Sequence, residues 1–213
     1  MIRRLSFLLL FTVAIFSVFI VGPLHAQTAL SDTGIYLHTK LDASINPVTA
    51  SFLHRMIAQA EREDVEGLIV QLDTPGGLMT SMKDMTDRIL NADVPVIIWV
   101  GPGGARATSA GVFITYSAHL AAMAEGTNIG AAHPVQGQGE DMGDAMQEKV
   151  VNDAVAQLTG LARKRGRNEA ITEQFIKKSI SINAEEALDT NVINFIANNI
   201  DELKVKLAGR TIT

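Results

Sequence analysis

The amino-acid sequence predicts an α/β domain, a mainly parallel β-sheet flanked by helices. Three observations carry this expectation. Residues 68–72 and 94–100 are short apolar runs rich in β-branched side chains, with the length of buried strands. Residues 48–63 and 80–90 place apolar side chains three and four apart, as helices with one buried face do. The two patterns alternate, and a β-α-β-α-β-α order packs helices over a sheet whose strands run the same way.

Taken in order, residues 34–41 alternate as a first strand. Residues 42–47 turn into a helix over 48–63 with Phe52, Leu53, Met56, Ile57 and Ala60 on its apolar side. After strand 68–72, a helix over 80–90 groups Met82, Met85 and Ile89, methionines that read as packing rather than as a binding surface. Strand 94–100 leads into Gly101-Pro-Gly-Gly-Ala-Arg-Ala-Thr-Ser-Ala-Gly111, an apolar helix over 112–120 and a strand at 119–123. Residues 136–144 form a polar, Gly-rich loop expected to be mobile. A helix over 145–164 turns Val151, Ala154, Val155, Leu158 and Ala162 inward. The basic cluster Arg163-Lys-Arg-Gly-Arg167 reads as a solvated loop between helices rather than as a contact for anionic lipid. Residues 169–178 make another helix, and Asn183-Ala-Glu-Glu186 has the cap and third-position acid of a helix start. Asn191 suits a left-handed turn, residues 192–196 a last short strand, and Asp201 the cap of a final helix ending near Gly209.

Met1-Ile-Arg-Arg4 is a short basic head, residues 5–21 hold no charge, and Gly22-Pro-Leu-His-Ala26 ends on a small residue. This is the layout of a secretory signal peptide over residues 1–26, cleaved after Ala26. The apolar run also approaches the length of a spanning helix, so an uncleaved N-terminal anchor is the alternative. Both export the remainder, with Arg3 and Arg4 on the cytoplasmic side. Residues 27–213 then form one domain of ordinary size, large enough to bury a core. The absence of cysteine excludes disulfides, a thiolate nucleophile and cysteine metal sites; no metal and no cofactor are expected. A net charge of −5 argues against nucleic acid as a partner.

The chemistry gathers at two strand ends. Ser109 stands where a strand hands over to a helix, among Ala107, Ala110 and Gly111. Small neighbours admit a substrate and a helix N-terminus favours developing negative charge, so Ser109 is a nucleophile candidate; an ordinary N-cap serine is the plainer reading. Beyond strand 68–72, Asp73-Thr-Pro-Gly-Gly77 leaves backbone N–H groups without a sheet partner. Donors fixed in advance where charge develops make an oxyanion hole; a simple strand-to-helix turn is the plainer reading. Ligands of open α/β sheets gather beyond the C-terminal ends of the strands, where both features fall.

Four segments stand in one order: Asp73-Thr-Pro-Gly-Gly77, Ala107-Thr-Ser-Ala-Gly111, Met123-Ala-Glu-Gly-Thr-Asn-Ile-Gly-Ala-Ala-His-Pro134 and Glu186-Ala-Leu-Asp-Thr-Asn-Val-Ile193. As a set they resemble the Clp-type serine proteases and their relatives, most of all the protease domain of the NfeD proteins, also called stomatin operon partner proteins. The likeness spans residues 34–207. It implies a ClpP/crotonase-like fold and an exported, membrane-associated serine endopeptidase at the periplasmic or extracytoplasmic membrane face. Ser109 would be the nucleophile and Lys149, 40 residues on and in the first turns of the helix after the polar loop, the general base. The oxyanion donors would be the N–H of Gly76 or Gly77 and of Ala110. The resemblance further implies hydrophobic segments of stomatin- or prohibitin-like membrane proteins as substrates, and assembly as a dimer or more. Longer NfeD proteins continue into transmembrane helices and a small OB-like β-barrel. No run after residue 26 here is apolar enough to span a bilayer, so the chain is expected to be a fragment or a short form.

A lysine base must be neutral to take the serine proton, which needs burial or a positive neighbour, so the loop is expected to close over Lys149. The plainer reading pairs Lys149 with Asp153 one turn on. His133, 24 residues after Ser109, is the rival base, and the Clp-type pattern then needs an orienting carboxylate such as Asp189. Arg106 departs from the small residues expected beside Ser109 and either narrows the pocket or stands in solvent. Two other classes stay open. A non-catalytic scaffold for a membrane partner has no need of Lys149, and a crotonase-like acyl-CoA enzyme would use carboxylates near the glycine pair instead of Ser109.

Overall fold

The computed structural model describes residues 34–135, 143–210 and 212. The expected leader and all but the end of the expected polar loop lie outside them. The chain runs β1 (Tyr36–Asp42), α1 (Pro47–Arg62), β2 (Gly67–Asp73), α2 (Met79–Leu90), β3 (Val96–Val100), β4 (Arg106–Thr108), α3 (Ala110–Ser117) and β5 (Leu120–Met123). It continues through β6 (Asn128–Gly130), α4 (Asp144–Lys164), α5 (Thr172–Lys177), β7 (Ser181–Asn183), α6 (Ala184–Asp189), β8 (Phe195–Ile196) and α7 (Ile200–Leu207).

Strands β1, β2, β3, β5 and β8 form a sheet in the order β1-β2-β3-β5-β8, parallel throughout. Successive strand residues point to opposite faces, and here both faces are covered. Leu68, Val70, Leu72, Val96, Ile98, Val100, Ala121 and Met123 join the core under the helices before β8. Ile69, Ile97, Trp99 and Ala122 point the other way, against Leu203 and Leu207 of α7. This is why the strands read as continuous apolar runs and not as alternating ones.

Helix α1 starts where its sequence tells it to. Asn46 accepts from Val48 N (2.8 Å) and Thr49 N (3.1 Å), Thr49 Oγ1 accepts from Asn46 N (2.9 Å), and Pro47 sits in the first turn where no N–H is needed. The box at Asn183 and Glu186 caps α6 as expected, and Asn191 adopts φ 57° after it.

Besides a last strand that keeps only Phe195–Ile196 of the expected 192–196, the structure differs from the sequence expectation in four places. A second, three-stranded sheet (β4-β6-β7) went unpredicted because each strand is three residues long, too short to show a period. Helix α5 starts at Thr172, not near Glu169, because the Asn168 carboxamide accepts from Ala170 N and Ile171 N and holds those residues in a turn. The cap of α7 is Asn199, whose side chain accepts from Glu202 N; Asp201 lies in the first turn, where its charge suits the helix dipole. The basic cluster is not a solvated loop. Arg163 pairs with Glu169 at the surface, whereas Arg165 is half-buried and Arg167 fully buried against the end of α3.

Candidate active site

The site is built where β2 and β4 are stitched together. Thr74, just past β2, donates its N–H to Arg106 O (2.7 Å) and accepts from Thr108 N (3.1 Å), while Asp73 Oδ1 accepts from Arg106 N (3.0 Å). The strand leading to Ser109 is thereby fixed to the strand leading to the glycine pair. Thr74 is fully buried, and its Oγ1 accepts from Gly76 N (3.1 Å). Ile45 N then donates to Gly76 O and Leu78 N to Ile45 O, both at 2.8 Å, which pins the glycine loop against the start of α1.

Both glycines are required by geometry. A Cβ on Gly76 (φ +106°) would lie 2.6 Å from Ser109 Cβ and 3.0 Å from its Oγ, and a Cβ on Gly77 (φ +156°) would lie 2.1 Å from Ile45 O. Their amides differ in what remains for a ligand. The Gly76 N–H is spent on Thr74, whereas Gly77 N–H has no acceptor among the described residues.

Ser109 is the N-cap of α3, at φ 56° and ψ −114°. Its N–H donates to Gly130 O (3.0 Å) and its carbonyl accepts from Val112 N (3.0 Å), but its side chain caps nothing. The ordinary N-cap reading therefore does not hold: the hydroxyl has no hydrogen bond among the described residues, and neither does the N–H of Ala110 beside it. A strained serine at a sharp strand-to-helix turn, with its hydroxyl free, has the form of a nucleophile elbow.

Ser109, Gly77 and Ala110 line one cavity of about 740 Å³ with an apolar wall from Ile45, Leu78, Met82 and Phe113. His133 lines it too. Its Nδ1 is 2.9 Å from Ile176 O, and since a carbonyl only accepts, Nδ1 carries a proton and, in the neutral ring, Nε2 is the acceptor. Among the described residues no carboxylate lines the cavity, and the crotonase-like reading calls for carboxylates near the glycine pair. Asp189 is exposed at the end of α6, and it is the Ile176 carbonyl that orients His133. Arg106 is exposed and absent from the lining, the solvated alternative.

The structure does not bring Lys149 to Ser109. Residues 143–149 are all exposed, because α4 packs on the core only from Val151 onward, and Lys149 faces a separate depression of about 380 Å³ with Met79, Met146, Val150 and Asp153. Met79 lines both spaces. The Lys149–Asp153 ion pair is absent among the described residues as well. Thr74 and Gly130 hold the site through backbone bonds that the sequence does not announce, and the only signal for Thr74 is a threonine inside a glycine-rich turn.

Comparison with known proteins matches this architecture to relatives. The chain is 38% identical over 194 residues to membrane-bound protease PH1510 of Pyrococcus horikoshii, covering 90% of this chain and 42% of that one, less than half its length. Two solved structures of 1510-N, described as a membrane-bound stomatin-specific protease, superpose on it. One is a serine-to-alanine mutant (TM-score 0.78, 38% identity, 83% of this chain and 86% of that chain). The other is a lysine-to-alanine mutant in complex with a substrate peptide (TM-score 0.75, 37% identity, 84% and 86%). ClpP1 from Listeria monocytogenes, 17% identical, shares the fold (TM-score 0.63, 78% of this chain and 94% of that one). Residues 37–212 match the family described as NfeD1b, N-terminal domain, and with a ClpP-like α/β fold the chain belongs to that family.

Proposed function

We propose that this chain is a serine endopeptidase working through Ser109 and Lys149. Ser109 Oγ bonds to the peptide carbonyl carbon as its proton passes to Lys149 Nζ. The oxyanion is held by the N–H groups of Gly77 and Ala110. Collapse breaks the C–N bond, Lys149 returns the proton to the leaving amine, and water then hydrolyses the acyl-enzyme with the same lysine as base. The observation that carries this is the strained Ser109 with a free hydroxyl, beside two uncommitted amides in one largely apolar cavity. The likeness to 1510-N supports it: the serine and lysine replaced in its two mutants stand about as far apart in that chain as Ser109 and Lys149 do here.

The substrates we assign are hydrophobic segments of stomatin-like membrane proteins. Leu78, Met79, Val135 and Met146 are exposed around the cavity and its neighbouring depression, a rim for an apolar segment. A segment covering Met79 shields both spaces from water as the first turns of α4 carry Lys149 inward. We place the enzyme at the extracytoplasmic membrane face, on the strength of the leader, and as a homodimer, on the family likeness; no described helix is long and apolar enough to cross a membrane.

A second reading has its own observation: His133 shares the cavity with Ser109 and its Nδ1 is tied to Ile176 O, which leaves Nε2 to serve as base in place of Lys149 when the ring is neutral. Cleavage of apolar peptides and labelling by a fluorophosphonate probe decide between them. Ser109→Ala is expected to abolish both. Lys149→Ala is expected to lower cleavage at least about a hundredfold, with His133→Ala near wild type. The reverse pattern gives the base to His133, and an unlabelled wild-type protein removes the protease reading and leaves a scaffold.

A further inference from the structure

Arg167 is the one charged side chain among the buried described residues, 6% exposed, and its guanidinium meets no carboxylate of the described residues. Its Nη1 donates to the carbonyls of Tyr116 (3.2 Å) and Ala118 (3.0 Å), and its Nη2 to Asn194 Oδ1 (3.4 Å). Arg165 Nε donates to the carbonyl between them, Ser117 O, at 2.8 Å. Three consecutive carbonyls at the end of α3 are thus held by two guanidinium groups. The carbonyls before them are met locally, Ile114 O by Ser117 Oγ (2.8 Å) and Thr115 O by Ala118 N (3.3 Å). A helix end normally leaves four such groups wanting; here none is left. At the opposite end of the same helix stands Ser109, with Ala110 N–H uncommitted.

The arginines are aimed by the end of α4. Gly166 takes φ 64°, its N–H donates to Arg163 O (3.3 Å), and Arg167 N donates to Ala162 O (2.8 Å), the paired bonds of a Schellman turn. Burial pulls the Arg167 pKa down to about 10, which leaves it cationic at neutral pH.

We propose that Arg167, assisted by Arg165, is a positioning clamp for the nucleophile: it fixes the C-terminus of α3 so that the N-terminus holds Ser109 in its strained turn. Helix α3 has eight residues, every one buried, so its two ends are separated by only about 12 Å of closely packed rod. Strain at Ser109 would relax if the helix slid or frayed from its far end. Cations on its last carbonyls oppose that and complement the helix dipole. The inference rests on Ser109 being the nucleophile, as proposed above.

The test compares Arg167→Met and Arg167→Lys with Arg163→Met, which removes an exposed charge from the same cluster. The readouts are fluorophosphonate labelling, resolved into maximal rate and half-saturating concentration, and hydrogen exchange of residues 110–118 in the Ser109→Ala background. Arg167→Met is expected to lower the maximal labelling rate at least tenfold with half-saturation within twofold, Arg167→Lys to recover only part of it, and Arg163→Met to change nothing. Exchange in 110–118 is expected to rise in the Arg167 variants while residues 67–73 stay protected. If Arg167→Met does not fold, Arg167→Lys carries the comparison, and added methylguanidinium on Arg167→Ala is expected to restore labelling. A folded Arg167 variant that labels at the wild-type rate, or an equal loss in Arg163→Met, overturns the clamp. If the wild type takes no label, the protease reading fails by itself, and unchanged exchange in 110–118 then overturns the clamp separately.

Discussion

At φ 56° and ψ −114°, Ser109 occupies a conformation that costs a non-glycine residue about 1–3 kcal/mol, and the surrounding contacts must hold it there. Gly76 is the closest of them. Gly76→Ala puts a methyl 2.6 Å from Ser109 Cβ at a φ of +106°, so it is expected to lower probe labelling about a hundredfold or more and to reduce the melting temperature. A Gly76→Ala protein labelled at the wild-type rate would show that the serine is held otherwise. His119 sets a pH dependence. Its Nδ1 accepts from Val96 N (3.1 Å), and burial, then the neighbouring Arg165, bring its pKa down to about 4 from an ordinary 6.5. Below pH 6.5 the unfolded chain takes up a proton that the folded one refuses, so this part of the stability is complete above that value and is lost as pH falls toward 4. Thermal melts at pH 7.5 and pH 4.5 should show a smaller acid loss in His119→Asn, whose Oδ1 still accepts from Val96 N. An equal loss in both proteins assigns the acid sensitivity to other groups.

Elements reach the site through their ends. Helix α1 begins at Asn46, next to Ile45, whose N–H and C=O hold Gly76 and Leu78. Asn46→Ala removes the acceptor for Val48 N and Thr49 N, and it is expected to cost about 1 kcal/mol, a drop of roughly 2–4 °C in melting temperature for a chain of this size. Because the same turn braces the glycine loop, labelling of Ser109 should slow along with it; an unchanged rate would show that the loop is held by Thr74 alone. Helix α4 behaves differently along its length. Leu158 and Leu161 anchor its second half, while its first turns, with Met146 and Lys149, lie exposed. If Lys149 is the base proposed above, substrate has to recruit it from those exposed turns, because an ammonium must lose its own proton before it can take one from the serine.

For the molecule as a whole, the sheet needs a cover on both faces, and α7 supplies nearly all of one. Leu203 and Leu207 are fully buried against Ile69, Ile97 and Trp99, and Trp99 Nε1 donates to Ala197 O (2.8 Å). Leu203→Ala should therefore cost about 2–5 kcal/mol, measured by denaturant unfolding, although the residue belongs to the cluster on the face away from the helices that carry the site. A loss under about 1 kcal/mol would mean that α7 is dispensable to the fold.

The strands buried on both faces, the periodic helices, the glycine pair and the serine at a strand-to-helix turn are legible in the order of residues alone. Each is written in neighbouring residues: the period of apolar side chains, a glycine run, a cap residue. What depends on distant partners emerges with the folded chain. It showed that Gly77 and not Gly76 keeps its N–H free, because Thr74 turns back on the loop. It buried Arg167, which a charge run reads as solvated, because the carbonyls that receive it lie about 50 residues earlier in the chain. It put His133 in the serine's cavity and Lys149 in the neighbouring depression, since Ile176 reaches the one and the first turns of α4 hold the other exposed. A hydrogen bond between residues far apart leaves no period in the sequence, and only folding brings its two ends together.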